Sequence, residues 1–139
     1  MKVKDAMHTG VTWFQPTTPL TELARAMRDE DIGSIPIGEN DRLVGMVTDR
    51  DIICRGLAVH GDCLKMAARD VMSKPIIYCY EDEDVDDAIH VMEKHRVRRL
   101  PVISREKRMV GMLSLGDISV GAGRELAGEA IQATSAHHG

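Results

Sequence analysis

The chain has 139 residues, 43% of them hydrophobic and 29% charged, with a formal net charge of −4 and a pI near 5.8. That is enough apolar material for a packed core, but it offers no basic surface able to neutralise many phosphates, which excludes a dedicated DNA or RNA binder. A single Trp, two Tyr and one Phe make the core aliphatic and leave few rings for base stacking.

Met1 to Met7 lacks the apolar core of a signal peptide, and no run approaches the roughly 18 apolar residues of a membrane span, so a cytoplasmic protein without a membrane partner is expected. Taken in chain order, Val11-Thr12-Trp13-Phe14 reads as a short strand closed by Pro16. Thr18 is placed to cap a helix with Pro19 in its first turn, and Leu20, Leu23, Ala24 and Met27 recur at helical spacing. Gly33 follows that helix. Ser34 to Ile37 predicts a strand, Asn40-Asp41 a hairpin turn, and Leu43 to Val47 the returning strand. A second helix is expected from Thr48 or Asp49 through Ile52 and Ile53 towards Gly56, and residues 58 to 67 form a connection. Ile76 to Tyr80 predicts a strand, and Asp84 caps a helix whose apolar face is Val85, Ala88, Ile89 and Met92. Leu100 to Ile103 and Met109 to Leu113 predict another hairpin, and Gly116 to Ala136 is helical in composition, broken or kinked near Gly121 and Gly123.

The second half of this series repeats the first. Asp5-Ala6-Met7 matches Asp70-Val71-Met72, and Met27 matches Met92. Ile35-Pro36-Ile37 matches Leu100-Pro101-Val102, at the same spacing of 65 that separates Met7 from Met72. After one inserted residue, Val44-Gly45-Met46-Val47-Thr48 matches Val110-Gly111-Met112-Leu113-Ser114, and Asp51-Ile52 matches Asp117-Ile118. Matched Pro, Gly and Asp in one order exceed chance among aliphatic residues. A β-α-β-β-α unit of about sixty residues buries too little surface to stand alone, so the two copies, 1–60 and 61–139, are expected to pack around a pseudo-two-fold axis as one α/β (α+β) module.

Leu43 to Ile52 resembles the signature of the cystathionine-β-synthase (CBS) domain, in which strand, Gly, strand and Ser/Thr-x-x-Asp lead into a helix, and Met109 to Ile118 resembles it again. Ile32 to Ile37 and Val97 to Val102 complete the likeness, which covers roughly residues 3 to 120. The resemblance implies a CBS pair, or Bateman module: a stand-alone, non-catalytic regulator that binds AMP, ADP, ATP or a related adenosine compound between its repeats and signals to an effector protein. The side-by-side dimer of the family implies a homodimer here.

Thr48-x-x-Asp51 places a hydroxyl and a carboxylate at a helix N-terminus with exposed backbone N–H groups. Asp51 can accept from two ribose hydroxyls, Thr48 and its neighbours, Arg50 included, can face a phosphate, and Val11, Thr12, Ile35, Pro36 and Ile37 can wall a flat base. The same motif also makes an ordinary helix cap; its recurrence at Ser114-x-x-Asp117 favours ligand binding. Arg98 and Arg99 stand where the first copy has Gly33 and Ser34, and are expected to reach the phosphates of a nucleotide on Asp51, whereas Arg96 reads as solvated. A second, weaker site is expected at Ser114 and Asp117 with Ile76, Ile77, Pro101 and Val102.

No nucleophile elbow, Walker A loop or HExxH is present, so no catalytic residue and no catalytic cofactor are assigned. Cys54, Cys63 and Cys79 lack CxxC spacing, and His8, His60, His90, His95, His137 and His138 are scattered, so no metal site is assigned. The alternatives are a dimerisation module without ligand, using apolar faces around Ile52, Ile53, Ile118 and Ile131, and a metal- or redox-responsive protein using the cysteines.

Overall fold

The computed structural model describes residues 1–60, 62–73, 76–121, 128 and 131–132. Strands β1 (Ser34–Glu39) and β2 (Arg42–Thr48) form an antiparallel hairpin; β3 (Cys79–Tyr80), β4 (Arg99–Ile103) and β5 (Met109–Ser114) form a three-stranded sheet in that order, with β3 parallel to β4. Helix Leu20–Glu30 precedes β1 and helix Val85–His95 precedes β4. This is the mixed helix-and-strand repeat expected from the sequence.

The hairpin turn forms as predicted, with Asn40 at φ 55° and Asp41 at φ 63°, the left-handed pair whose twist matches the flanking strands. Pleated alternation turns Ile35 and Ile37 of β1 into a core that also holds Leu20, Leu23, Met27 and Val47. Val85, Ala88, Ile89 and Met92 are all buried as their spacing predicts, whereas Ala24 is exposed. Burial at 3.6-residue spacing is what holds these two eleven-residue helices, since neither has a side-chain cap.

Several local expectations yield to packing. Val11 to Phe14 makes only a single parallel bridge, Phe14 to Ile37, and the counterpart strand shrinks to Cys79–Tyr80. Thr18 does not cap the helix: its hydroxyl accepts from Gln15 N–H, and the helix begins beyond Pro19. Both long helices end on non-glycine residues in the left-handed region, Asp31 (φ 54°) and Arg96 (φ 57°), two positions before Gly33 and Arg98. There Ile32 N–H donates to Met27 C=O and Val97 N–H to Met92 C=O, so the returning hydrogen bond stabilises a conformation that a side chain disfavours. The helix that starts at Asp49–Asp51 passes through a π-helical stretch, Ile52–Leu57, and ends at Ala58–His60. Its Gly56 is buried against Leu20, Cys63 and Val71. The C-terminal helix spans Leu115–Gly121, and the expected break at Gly123 lies outside the described residues.

A division at 60/61 follows the order of the repeats, but the packing divides the chain elsewhere: one compact unit is Met1–Val11 with Ile77–Gly139, the other Thr12–Ile76. Each repeat's leading segment closes the core of the other repeat's body. Val3 is fully buried with Met92, Leu100 and Leu113, while Ala68 and Val71 are fully buried with Leu23, Ile35 and Val47. The bridges repeat the exchange: His8 pairs with Met112 and Lys2 with Asp84 in one unit, Ser73 with Met46 and Pro19 with Ala67 in the other.

Cys79 lies in the first of these cores, where burial and the nearby Glu83 push its thiol from 9.0 up to about 12. Cys54 is exposed. A thiol reagent at neutral pH is therefore expected to label Cys54 in the native protein and Cys79 only on unfolding, checked by peptide mass mapping. Between pH 9 and 12 the unfolded Cys79 ionises while the folded one stays protonated, so stability falls with rising pH across that window, and Cys79→Ala removes that component.

Candidate functional site

At the end of β2, Thr48 N–H donates to Asp51 Oδ2 at 2.9 Å and Asp51 N–H donates to Thr48 Oγ1 at 3.1 Å. Ser114 and Asp117 reproduce both bonds at 2.9 and 3.1 Å. Both motifs are thus reciprocal helix caps, which satisfy two donors at each helix start. The capping geometry also holds each carboxylate rigidly on a turn beside backbone N–H groups. It uses one oxygen, Oδ2, and leaves Oδ1 to distinguish the two copies.

Asp51 Oδ1 lies 3.9 Å from Arg55 Nη1 one turn on, in a side chain 15% exposed. Asp117 Oδ1 lies 2.6 Å from His8 Nε2, and its side chain is 8% exposed. Beside the first motif, Ser34 pairs with Thr48 across the hairpin, and its buried Oγ has no hydrogen-bond partner among the described residues. An unsatisfied buried hydroxyl next to Thr48 is a donor and acceptor that a ligand would complete.

The remaining predicted residues fall into different settings. Ile35 and Ile37 are fully buried in the core, as is Val102, so they back the site rather than offering a free wall; Pro36 and Pro101 are buried on the other face of their strands. Thr12 donates to Glu30, and Val11, Ile76 and Ile77 are half-buried. Arg50 is exposed, its N–H donating to Asp49 Oδ1. Arg99 pairs with Ser114, and Arg98 C=O accepts from Leu115 N–H at 3.0 Å, so both arginines belong to the unit that carries Asp117.

Two features escaped sequence reasoning. His8 is 109 positions from Asp117, and the repeat aligns it with Ser73, so nothing local announced the pair. At the sheet edge, the Tyr78 and Tyr80 rings meet at 5.6 Å and 88°, Arg105 lies 4.0 Å over Tyr80 and forks onto Asp82, and Lys107 donates to the Tyr80 hydroxyl, holding that phenol below its ordinary range. These cations are engaged by the cluster itself, which clamps the β4–β5 hairpin. Among the described residues no group of three or more His, Cys, Asp or Glu is placed to hold a metal ion, and no helix is long and apolar enough to cross a membrane.

Residues 3–56 and 68–120 each match the CBS domain family. The chain belongs to that family. Hypoxic response protein 1 of Mycobacterium tuberculosis (strain ATCC 25618 / H37Rv) is 43% identical to this CBS pair over 117 residues, covering 84% of this chain and 81% of that protein. A crystal structure of Hypoxic Response Protein I with two coordinated zinc ions aligns with TM-score 0.82 at 40% identity, over 88% of this chain and all of the other. The CBS domain pair of protein MJ0100, in complex with 5′-methylthioadenosine and S-adenosyl-L-methionine, aligns with TM-score 0.76 at 26% identity, over 93% of this chain and 98% of that one.

Proposed function

We propose that this CBS pair is a non-catalytic regulatory module in the cytoplasm that binds an adenosine compound, AMP or ATP among them, and passes its occupancy to an effector protein. The observation that carries the reading is the rigid Thr48–Asp51 turn, with one carboxylate oxygen uncommitted to the cap and an unsatisfied Ser34 hydroxyl beside it. The MJ0100 pair, with its two adenosine ligands, supports the ligand class. Binding shifts the protein only so far as the ligand prefers one arrangement over another. Isothermal titration with AMP, ATP, S-adenosylmethionine and NAD tests it; no heat with any of them sinks the reading.

We assign Arg98 and Arg99 to the phosphates of such a ligand. The double variant Arg98→Ala, Arg99→Ala is expected to weaken AMP by about 10- to 100-fold, the worth of charge-assisted hydrogen bonds, and to leave 5′-methylthioadenosine unchanged. Equal loss for both ligands would remove the arginines from the phosphate role.

A second reading, a homodimerisation module, is favoured by the exposed apolar residues Ile53 (58%), Leu57 (55%) and Leu64 (77%). Ile53 and Leu57, four positions apart, share a helix face that a second copy would cover. Ile131 is also exposed, Ile52 is half-buried against one core, and Ile118 is fully buried in the other and contributes no surface. Light scattering of the native protein against Ile53→Lys decides it: a dimer that becomes a monomer supports the interface, and a native monomer at micromolar concentration removes it.

A further inference from the structure

The two motifs share their capping bonds and differ at one oxygen. Asp51 Oδ1 has Arg55 at 3.9 Å, whereas Asp117 Oδ1 has His8 Nε2 at 2.6 Å, and the Asp117 side chain is 8% exposed. The imidazole itself is 74% exposed, so it lies over the carboxylate from the solvent side. Its backbone is fixed: His8 N–H donates to Met112 C=O at 2.9 Å, and Met112 N–H donates back to His8 C=O at 3.0 Å. Gly111 permits this seating, because a Cβ there would stand 2.4 Å from the His8 carbonyl oxygen. With the main chain held by two hydrogen bonds and the imidazole exposed, a change of the His8 rotamer releases Asp117 without breaking the bridge to Met112. The equivalent bridge in the other unit carries Ser73.

We propose that His8 is a displaceable cap on the second motif, occupying the carboxylate oxygen that a vicinal diol would take. The proposal rests on the adenosine reading above and deepens it. Ligand reaches Asp117 only when the imidazole swings out, so the second motif pays one hydrogen bond to a charged group that the first does not. Neutral imidazole suffices for the cap, since Nε2–H donates to the carboxylate without any charge on the ring. The module accordingly carries an open motif at Asp51 and a latched one at Asp117, which makes its response to ligand two-staged.

Calorimetric titration of the full chain with AMP and with S-adenosylmethionine tests this directly. The unsubstituted protein is expected to show one site in the accessible range and His8→Ala two, the second tightened by about 10- to 100-fold. That gain disappears when Asp117→Ala is added to His8→Ala. One site in both proteins, even with a lower Tm for His8→Ala, overturns the cap and makes His8 a structural tether, while the adenosine reading stands. Two equal sites in the unsubstituted protein likewise overturn the cap alone. No binding by either protein overturns both.

Discussion

Asp51→Ala is expected to abolish measurable adenosine binding at the first motif while leaving a folded protein. The proposed function gives the carboxylate two separable duties. Oδ2 accepts from Thr48 N–H and closes the helix cap, and the other oxygen faces no cation closer than the 3.9 Å of Arg55 among the described residues. Loss of the cap costs about 1 kcal/mol of stability. Loss of two hydrogen bonds from ligand hydroxyls to a charged acceptor costs about 1.5–3 kcal/mol each, so affinity drops by about a hundredfold or more. Thr48→Ala separates the duties, because it removes the reciprocal bond from Asp51 N–H at 3.1 Å but keeps the carboxylate. Its stability loss should resemble that of Asp51→Ala and its affinity loss should be much smaller. Thermal unfolding and calorimetry on both variants check this; equal affinities for Asp51→Ala and the unsubstituted protein would reduce the motif to a helix cap.

The largest stability effect is expected from Gly111→Ala. A Cβ at this position would lie 2.4 Å from the carbonyl oxygen of His8 and 2.9 Å from Met7 Sδ. The carbonyl belongs to a paired backbone, so the leading segment must lift off β5, giving up two backbone hydrogen bonds as well as incurring overpacking of about 1–3 kcal/mol. Gly45→Ala is the matched control. There the nearest atom, at 2.7 Å, is Met72 Sδ, the flexible part of a side chain that can turn aside, so a smaller loss is expected. Urea unfolding gives the magnitudes, and hydrogen exchange gives the place. Because Met1–Val11 packs with the second repeat's body, Gly111→Ala should loosen protection in Val85–His95 and in β4 and β5, and spare β1 and β2. Loss of protection in β1 and β2 instead would show that the leading segment serves its own repeat.

The cap and the exchange of leading segments meet at the same strand. Gly111 admits the His8 backbone, Met112 pins it, and Asp117 receives its imidazole, so one residue without a side chain determines whether the second motif is latched. Substitution at Gly111 is therefore expected to uncap Asp117 as well as destabilise the unit.

What the sequence determined by itself is local or periodic. The 65-residue spacing announced two copies of one unit, the buried spacing of Val85, Ala88, Ile89 and Met92 placed a helix and its inner face, and Asn40-Asp41 marked a turn that only left-handed residues close. Thr48-x-x-Asp51 was legible as a helix start, and the reciprocal bonds of its hydroxyl and carboxylate form that cap; the same two groups are what the sequence offered as a candidate site. Tertiary structure alone decided which leading segment fills which core, because Val3 and Ala68 are interchangeable to any pattern of hydrophobicity. It turned Ile35 and Ile37 inward, since alternation puts both on one face of the strand but only the packing of Leu20, Leu23 and Met27 against it decides that this face is filled. And it brought His8 onto Asp117, a contact between residues 109 apart that hydrogen bonding across a strand edge creates and no spacing in the chain encodes.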